Sequence, residues 1–289
     1  MGETLLQYLL TTGYAEKQAR GLILSGQVLI NESIETRAGQ SIRPTDTIRI
    51  KESRQYVSRA AWKLLGALDH QSFDWFEPHR HVCLDLGASH GGFSQVLIER
   101  GAHQIYAIDV AQGIFDYQLR QDPRIHLLEK HNVRHMKLDW FGPEFLQQLQ
   151  LAPCLCIVCD IAFMSLRTVV QSILNLHREI RTGLRLQIPA EPSKQPGNPG
   201  DEASGFQNRI QFDFRLDLVL LLKPQFENSA ATNNGIIDDA AITADILNSF
   251  INWVTEQGFV CLARQPAAIK GRGGNQEYVI GLRLDDRLC

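Results

Sequence analysis

The sequence predicts an α/β protein, a doubly wound and mostly parallel sheet preceded by a small α+β module. Two observations carry this. From residue 82 onward, the apolar runs VCLDLG, QIYAIDV, IHLLE, CIVCDI, LVLLLK and YVIGLR alternate with helical segments. Short strands that are apolar throughout belong to sheets covered by helices on both faces. Upstream, residues 1–53 carry two short helical patterns followed by short strands, with an apolar set of their own.

At 289 residues and 44% hydrophobic content, the chain has material for one large and one small packed domain. It contains no apolar run of roughly 18 residues or more. Its opening also lacks the basic stretch and apolar core of a secretory signal, so a cytoplasmic protein is expected. The six cysteines, with Cys154, Cys156 and Cys159 crowded together, do not form the framework of a secreted disulfide scaffold. They fall on an apparent buried strand without a matching Cys/His pair, so structural thiols and no metal site are expected.

The net charge of −3 is unevenly spread. Residues 1–63 hold nine Lys or Arg against six Asp or Glu, which leaves an acidic remainder. From Arg49 to Lys63, the cations Arg49, Lys51, Arg54, Arg59 and Lys63 face only Glu52. Such a run suits a phosphate-bearing partner, although a solvated charged face reads the same way.

Leu5, Leu6, Leu9 and Leu10 recur at helical spacing, and a second helix around Ala19, Leu22, Ile23 and Leu24 stops at Ser25 and Gly26. Val28, Leu29 and Ile30 then read as a strand, Asn31 as a turn, and Thr47 to Lys51 as a further strand. The stretch AEKQARGLILSGQVLINESIETRAGQSIRPTDTIRIK resembles the S4 RNA-binding domain, which implies that Lys17, Arg20 and Lys51 face RNA, and the basic run beyond it adds Arg54 and Arg59 as expected RNA contacts. Residues 54–62 form a linker and the start of a helix whose face is Ala60, Leu64, Leu65 and Leu68, with Lys63 at its buried edge. The segment from Arg181 to Asp213, with Pro189, Pro192, Pro196 and Pro199, reads as a surface insertion rather than a helix or central strand.

After the strand Val82 to Leu86, the turn DLGASHGGF opens a helix. Glycines there let a ligand approach the backbone, and the helix start supplies free N–H groups. The spacing is not that of a G-x-G-x-x-G dinucleotide loop, and no lysine stands ready for a triphosphate. Asp109, closing the next strand, suits the two hydroxyls of a ribose. Together DLGASHGGF and AIDV resemble motifs one and two of the class I, Rossmann-like methyltransferases. That resemblance implies S-adenosylmethionine held around Asp85, Gly87, Ala88, Ser89, Gly91, Gly92, Phe93, Asp109 and Val110.

Asp160 follows CIVC, Lys223 follows LVLLL and Glu277 precedes YVIGL, each a charge abutting an apolar strand. Such charges cost free energy unless they are paired or rim an active site. With Lys63 they match, in order and context, the K-D-K-E set of 2′-O-ribose methyltransferases resembling FtsJ. A ribose hydroxyl needs its oxygen positioned and its proton weakened, and a nearby second cation makes a lysine a better base. Lys223 is read as the base or activating cation and Asp160 as the carboxylate that orients it. Lys63 and Glu277 form the outer pair.

YVSRAAWKL, CLDLGASHGGFSQVLIERGA, IYAIDV, LRQDPRI, CDIAFMSLRTV, LLKPQFE and IKGRGGNQEY together resemble the hemolysin A (TlyA) family of ribosomal RNA methyltransferases. The resemblance implies an S4-like domain at 1–53, an FtsJ-like domain at 63–289 with the insertion at about 181–213, and methyl transfer to a 2′-hydroxyl of ribosomal RNA at cytidine. Lys270 and Arg272, in a glycine-rich loop beside Glu277, are read as phosphate contacts. Two other readings compete: an assembly factor that binds RNA without catalysis, and a membrane-active hemolysin, for which no span or basic amphipathic helix is visible.

Overall fold

The computed structural model describes residues 3–24, 26–50, 56–152, 154–186, 214–271 and 273–284. The chain forms two units, residues 1–55 and 56–289.

In the first unit, helices α1 (Leu5–Thr11) and α2 (Glu16–Leu24) accompany an antiparallel sheet ordered β2-β1-β3. Its strands are β1 (Val28–Ile30), β2 (Ser33–Ile34) and β3 (Ile48–Ile50). Thr4 and Gln7 form a reciprocal capping box that supplies partners for the free N–H groups opening α1. Leu5, Leu9, Ala19, Ile23 and Val28 make the core, each at a position the helical or strand spacing turns inward. Asn31 and Glu32 take positive φ in the two-residue connection between β1 and β2, the geometry that matches strand twist. The Asn31 side chain also accepts from the Thr47 backbone and donates to Asp46, tying the turn to the approach to β3.

The second unit begins with α3 (Ala61–Leu68) and continues through β4 (Val82–Leu86), α4 (Gly92–Glu99), β5 (Gln104–Ile108), α5 (Tyr117–Arg120) and β6 (Ile125–Leu128). There follow α6 (Glu144–Leu151), β7 (Cys154–Cys159), α7 (Leu166–Leu186), β8 (Arg215–Leu222), α8 (Pro224–Glu227), α9 (Ala240–Glu256), β9 (Phe259–Pro266) and β10 (Tyr278–Leu284). The sheet order is β6-β5-β4-β7-β8-β10-β9, parallel from β6 to β8, with β10 antiparallel to both β8 and β9. The chain winds outward from β4 to β6, then returns to lay β7 against β4. That reversal opens a crevice beyond the carboxyl ends of β4 and β7.

Period-two alternation covers the sheet on both sides. Leu84, Leu86, Ile157, Leu218 and Leu220 face a core that includes residues of α6, α7 and α9, while Cys83, Cys156, Val158 and Val219 face one that includes α3 and α4. Burying each large side chain there contributes about 1.5–3 kcal/mol. Burial holds the Cys159 thiol up at about 12, and contact with Cys156 together with burial raises that of Cys154, as befits structural thiols.

Three expectations change. Helix α7 continues to Leu186, so the segment from Arg181 begins as helix, because Leu176, Ile180 and Leu184 keep the buried spacing until the prolines start. The rest of the expected insertion, residues 187–213, lies outside the described residues. The helical segment expected between QIYAIDV and IHLLE is only the single turn of α5, begun by Asp116, whose carboxylate accepts from the Gln118 and Leu119 backbone. Strand β9 has no counterpart in the sequence reading. As an edge strand it buries only Phe259, Ala263 and part of its alternate positions, which leaves FVCLARQP without a continuous apolar signature. Among the described residues, no helix is long and apolar enough to cross a membrane.

Candidate active site

Lys63, Asp160, Lys223 and Glu277 converge in one place. Lys63 lies on α3, Asp160 directly after β7, Lys223 directly after β8 and Glu277 directly before β10. Asp160 is fixed by its backbone N–H, which donates to the carbonyl of Leu86 at the end of β4 at 3.1 Å. The Ala267 N–H donates to the Glu277 carbonyl at 2.8 Å, closing the hairpin of β9 and β10 beneath that carboxylate.

The side chains form one charged chain. Glu277 Oε2 lies 2.6 Å from Lys63 Nζ, Lys63 Nζ lies 3.5 Å from Asp160 Oδ2, and Asp160 Oδ1 lies 2.5 Å from Lys223 Nζ. The two end contacts are close in distance but lie off the hydrogen-bonding direction, so charge attraction carries them. Lys63, Lys223 and Glu277 are all buried. Two lysines and two carboxylates balance, which is what makes their burial tolerable.

The glycine turn adjoins this chain. Gly87 has φ +82°, and a Cβ there would sit 2.9 Å from the Asp160 carbonyl oxygen, so only glycine lets the two loops meet. Gly91 has φ +91°, and Gly92 begins α4 against Ser58 and Ala61, whose nearest atoms leave no room for a Cβ. Asp109 accepts from Ser89 N through one oxygen and from Ala111 N through the other, both at 2.8 Å. Its carboxylate is thereby locked toward the turn, with lone pairs left over. Ala88 is buried and Val110 exposed. The Phe93 side chain packs into the core with Leu64 and Val96, leaving only its backbone to face a ligand.

Asp85 is fully buried. Ser94 Oγ donates to its Oδ2 at 2.7 Å, while Oδ1 has no partner. Burial first of all pushes its carboxyl up to about 7, against the bonds from Ser94 that favour the charged form.

The expected RNA contacts are less uniform. Lys17, Arg59 and Lys270 are exposed, whereas Arg20 is exposed but pairs with Glu16 at 2.8 Å. Arg49 likewise pairs with Glu32, so these two cations of the first unit already have carboxylate partners. Lys51, Arg54 and Arg272 lie outside the described residues.

Three residues beside the site carry geometry that the sequence reading does not reach. Phe163, three positions after Asp160, is 91% exposed with φ +64°, and its ring lies 5.4 Å from that of Phe226. Glu227 bonds back to Ser165 and Leu166. Asn275, buried, accepts from Ile237 N and donates to the Gly235 carbonyl, pinning the segment after KPQFE to the loop before Glu277.

A glycine turn after the first strand of a doubly wound sheet, an acidic residue after the second and a buried lysine–carboxylate chain at the switch point define a class I methyltransferase. The chain belongs to the FtsJ-like methyltransferase family, whose model matches residues 56–284. It is 30% identical over 277 residues to Hemolysin A of Brachyspira hyodysenteriae, covering 94% of this chain and 96% of that one. It is 29% identical over 273 residues to the 16S/23S rRNA (cytidine-2'-O)-methyltransferase TlyA of Mycobacterium tuberculosis, covering 93% and 84%. A solved structure from Lactococcus lactis, described under the hemolysin name, is 27% identical with a TM-score of 0.58, covering 81% of this chain and 90% of that one. The protein is an S-adenosylmethionine-dependent methyltransferase.

The residues fit that donor. Asp85 Oδ1 is an orphaned buried acceptor, Asp109 is a fixed carboxylate, and Gly87 leaves the backbone bare between them and Asp160.

Proposed function

We propose that this enzyme methylates a ribose 2′-hydroxyl of ribosomal RNA, with cytidine as the target nucleoside. The observation that carries the reading is the continuous chain Glu277–Lys63–Asp160–Lys223 at the switch point, beside the glycine turn. The relatives named for cytidine 2′-O-methylation of ribosomal RNA support the substrate class.

S-adenosylmethionine, when bound, supplies a sulfonium-activated methyl group. Asp85, the backbone of Gly87, Ala88, Ser89, Gly91, Gly92 and Phe93, and Asp109 with Val110 would hold it. Lys223 takes or weakens the proton of the 2′-hydroxyl, which readies that oxygen to accept the methyl group the donor would supply. Asp160 orients Lys223, and the Lys63–Glu277 pair holds the ribose end and balances charge. The bare Phe163 ring, beside Phe226, offers a stacking face for an unstacked base. Residues 1–53 act as an S4-like RNA-binding domain, and Lys17, Arg20, Lys51, Arg54, Arg59, Lys270 and Arg272 contact phosphates.

The test is transfer of labelled methyl to separated ribosomal subunits and free RNA from a strain lacking the protein, with the nucleotide mapped by ribose-methylation-sensitive cleavage. Label at a cytidine 2′-oxygen is expected, with Lys223→Ala abolishing transfer and leaving cofactor affinity within about threefold. Label on a base, or none on any RNA despite cofactor binding, would overturn the reading.

A further inference from the structure

The segments after β7 and β8 run side by side in register. Asp160 meets Lys223 at one end, Phe163 meets Phe226 in the middle, and Ser165 and Leu166 meet Glu227 at the other end. The last junction has the most hydrogen bonds. Glu227 Oε2 accepts from Ser165 Oγ, and Oε1 accepts from the Leu166 N–H, both at 2.6 Å. Ser165 Oγ in turn accepts from the Arg167 N–H at 3.1 Å.

Neither segment is self-supporting. Helix α8 is a single turn of four residues, too short to hold its own shape. The segment opposite contains Phe163 at φ +64°, a conformation that persists for a bulky side chain only when its surroundings impose it. Lys223 is the residue immediately before α8, and Asp160 opens the opposite segment, so a slip between the two segments changes the Asp160–Lys223 separation directly.

We propose that Glu227 is a positioning residue: it clamps the segment after β8 to the start of α7, and so fixes the relative placement of Asp160 and Lys223 and the pose of Phe163. The proposal rests on the reading of Asp160 and Lys223 as the reacting pair. The alternative is that Glu227 merely caps α7. Asp239 provides the comparison, because its carboxylate caps α9 through the N–H groups of Ala241 and Ile242 and is not a member of the charged chain.

In the full-length protein, Glu227→Ala should lower kcat about tenfold or more, with the affinity for S-adenosylmethionine kept within about threefold. The midpoint of its pH–rate profile should move by more than about half a unit, since the reacting charges are displaced. Glu227→Gln keeps an oxygen for Leu166 N–H and an amide against Ser165 Oγ, so it should recover kcat to within about threefold of the wild type. Asp239→Ala should lose comparable thermal stability, as a lost cap does, with kcat and pH profile unchanged. Hydrogen exchange supplies an arm that needs no turnover: the amides of 160–166 and 223–227 should exchange faster together in Glu227→Ala.

Activity and pH profile of Glu227→Ala within twofold of wild type, or losses in Glu227→Ala and Asp239→Ala that simply follow thermal stability, would overturn the proposal. A wild-type protein that transfers no methyl group would instead refute the reading of the reacting pair. The exchange arm then still decides whether the clamp exists.

Discussion

Lys63 Nζ lies 2.6 Å from Glu277 Oε2 with the side chains only 7% and 4% exposed, so a helix near the start of the second unit is charge-paired to the start of its last strand. Removing one partner strands the other in a poorly solvated place. Glu277→Ala or Lys63→Met alone should therefore cost about 3–5 kcal/mol of stability. The double variant should be more stable than either single one and still inactive, which urea unfolding and methyl transfer measure separately. Additive stability losses would show that the two charges do not compensate one another.

Asp85 gives a pH prediction with a definite sign. Its carboxyl stands at about 7 in the folded protein against an ordinary 3.8. From about pH 4 to 7 the folded protein therefore keeps a proton that the unfolded chain has released, and stability falls as the pH rises through that window. Asp85→Asn removes the titration and keeps an oxygen for Ser94 Oγ. Its thermal midpoint relative to wild type should rise more at pH 8 than at pH 5, in protein free of cofactor. The same variant should bind S-adenosylmethionine more weakly, because the cation loses a carboxylate.

Gly271 stands against Glu277. A Cβ there would lie 2.4 Å from Glu277 Oε1, while the glycine backbone is not in the left-handed region. Gly271→Ala should therefore fold and yet push the carboxylate off Lys63. Methyl transfer should fall about tenfold with the thermal midpoint lowered by only a few degrees. Unchanged turnover would mean that the exact seat of Glu277 does not matter to the reaction.

Most of the sheet, and the four charges that the fold brings together, were legible because they rest on local signals: apolar runs set the buried strands, and charges abutting those runs stand out. What escaped depends on longer-range or angular information. β9 is an edge strand, so only alternate residues face the core and its composition is mixed. The end of α7 was masked by the prolines beyond it, although Ile180 and Leu184 still carry the helical spacing. The basic count of the first unit overstated its free charge, since Glu16, Glu32 and Glu35 reach back to Arg20, Arg49 and Arg37. Glu227 and Asn275 lie inside segments whose letters were noticed, but their partners are distant in sequence.

Phe163 joins exposure to strain, and a single substitution separates the two. At φ +64° a phenylalanine costs on the order of 1 kcal/mol that glycine avoids, and with 91% of its surface exposed the ring returns little packing. Phe163→Gly should thus leave the folded protein as stable as wild type or slightly more so, after allowance for the added freedom of the unfolded glycine. If the ring stacks on a substrate base, the variant should lose about 1–3 kcal/mol of affinity for RNA, while its affinity for S-adenosylmethionine stays the same. Thermal unfolding, cofactor titration and RNA binding measure the three effects independently. Loss of stability with RNA affinity intact would make Phe163 a packing residue against Phe226, and the strained backbone would then serve that contact alone.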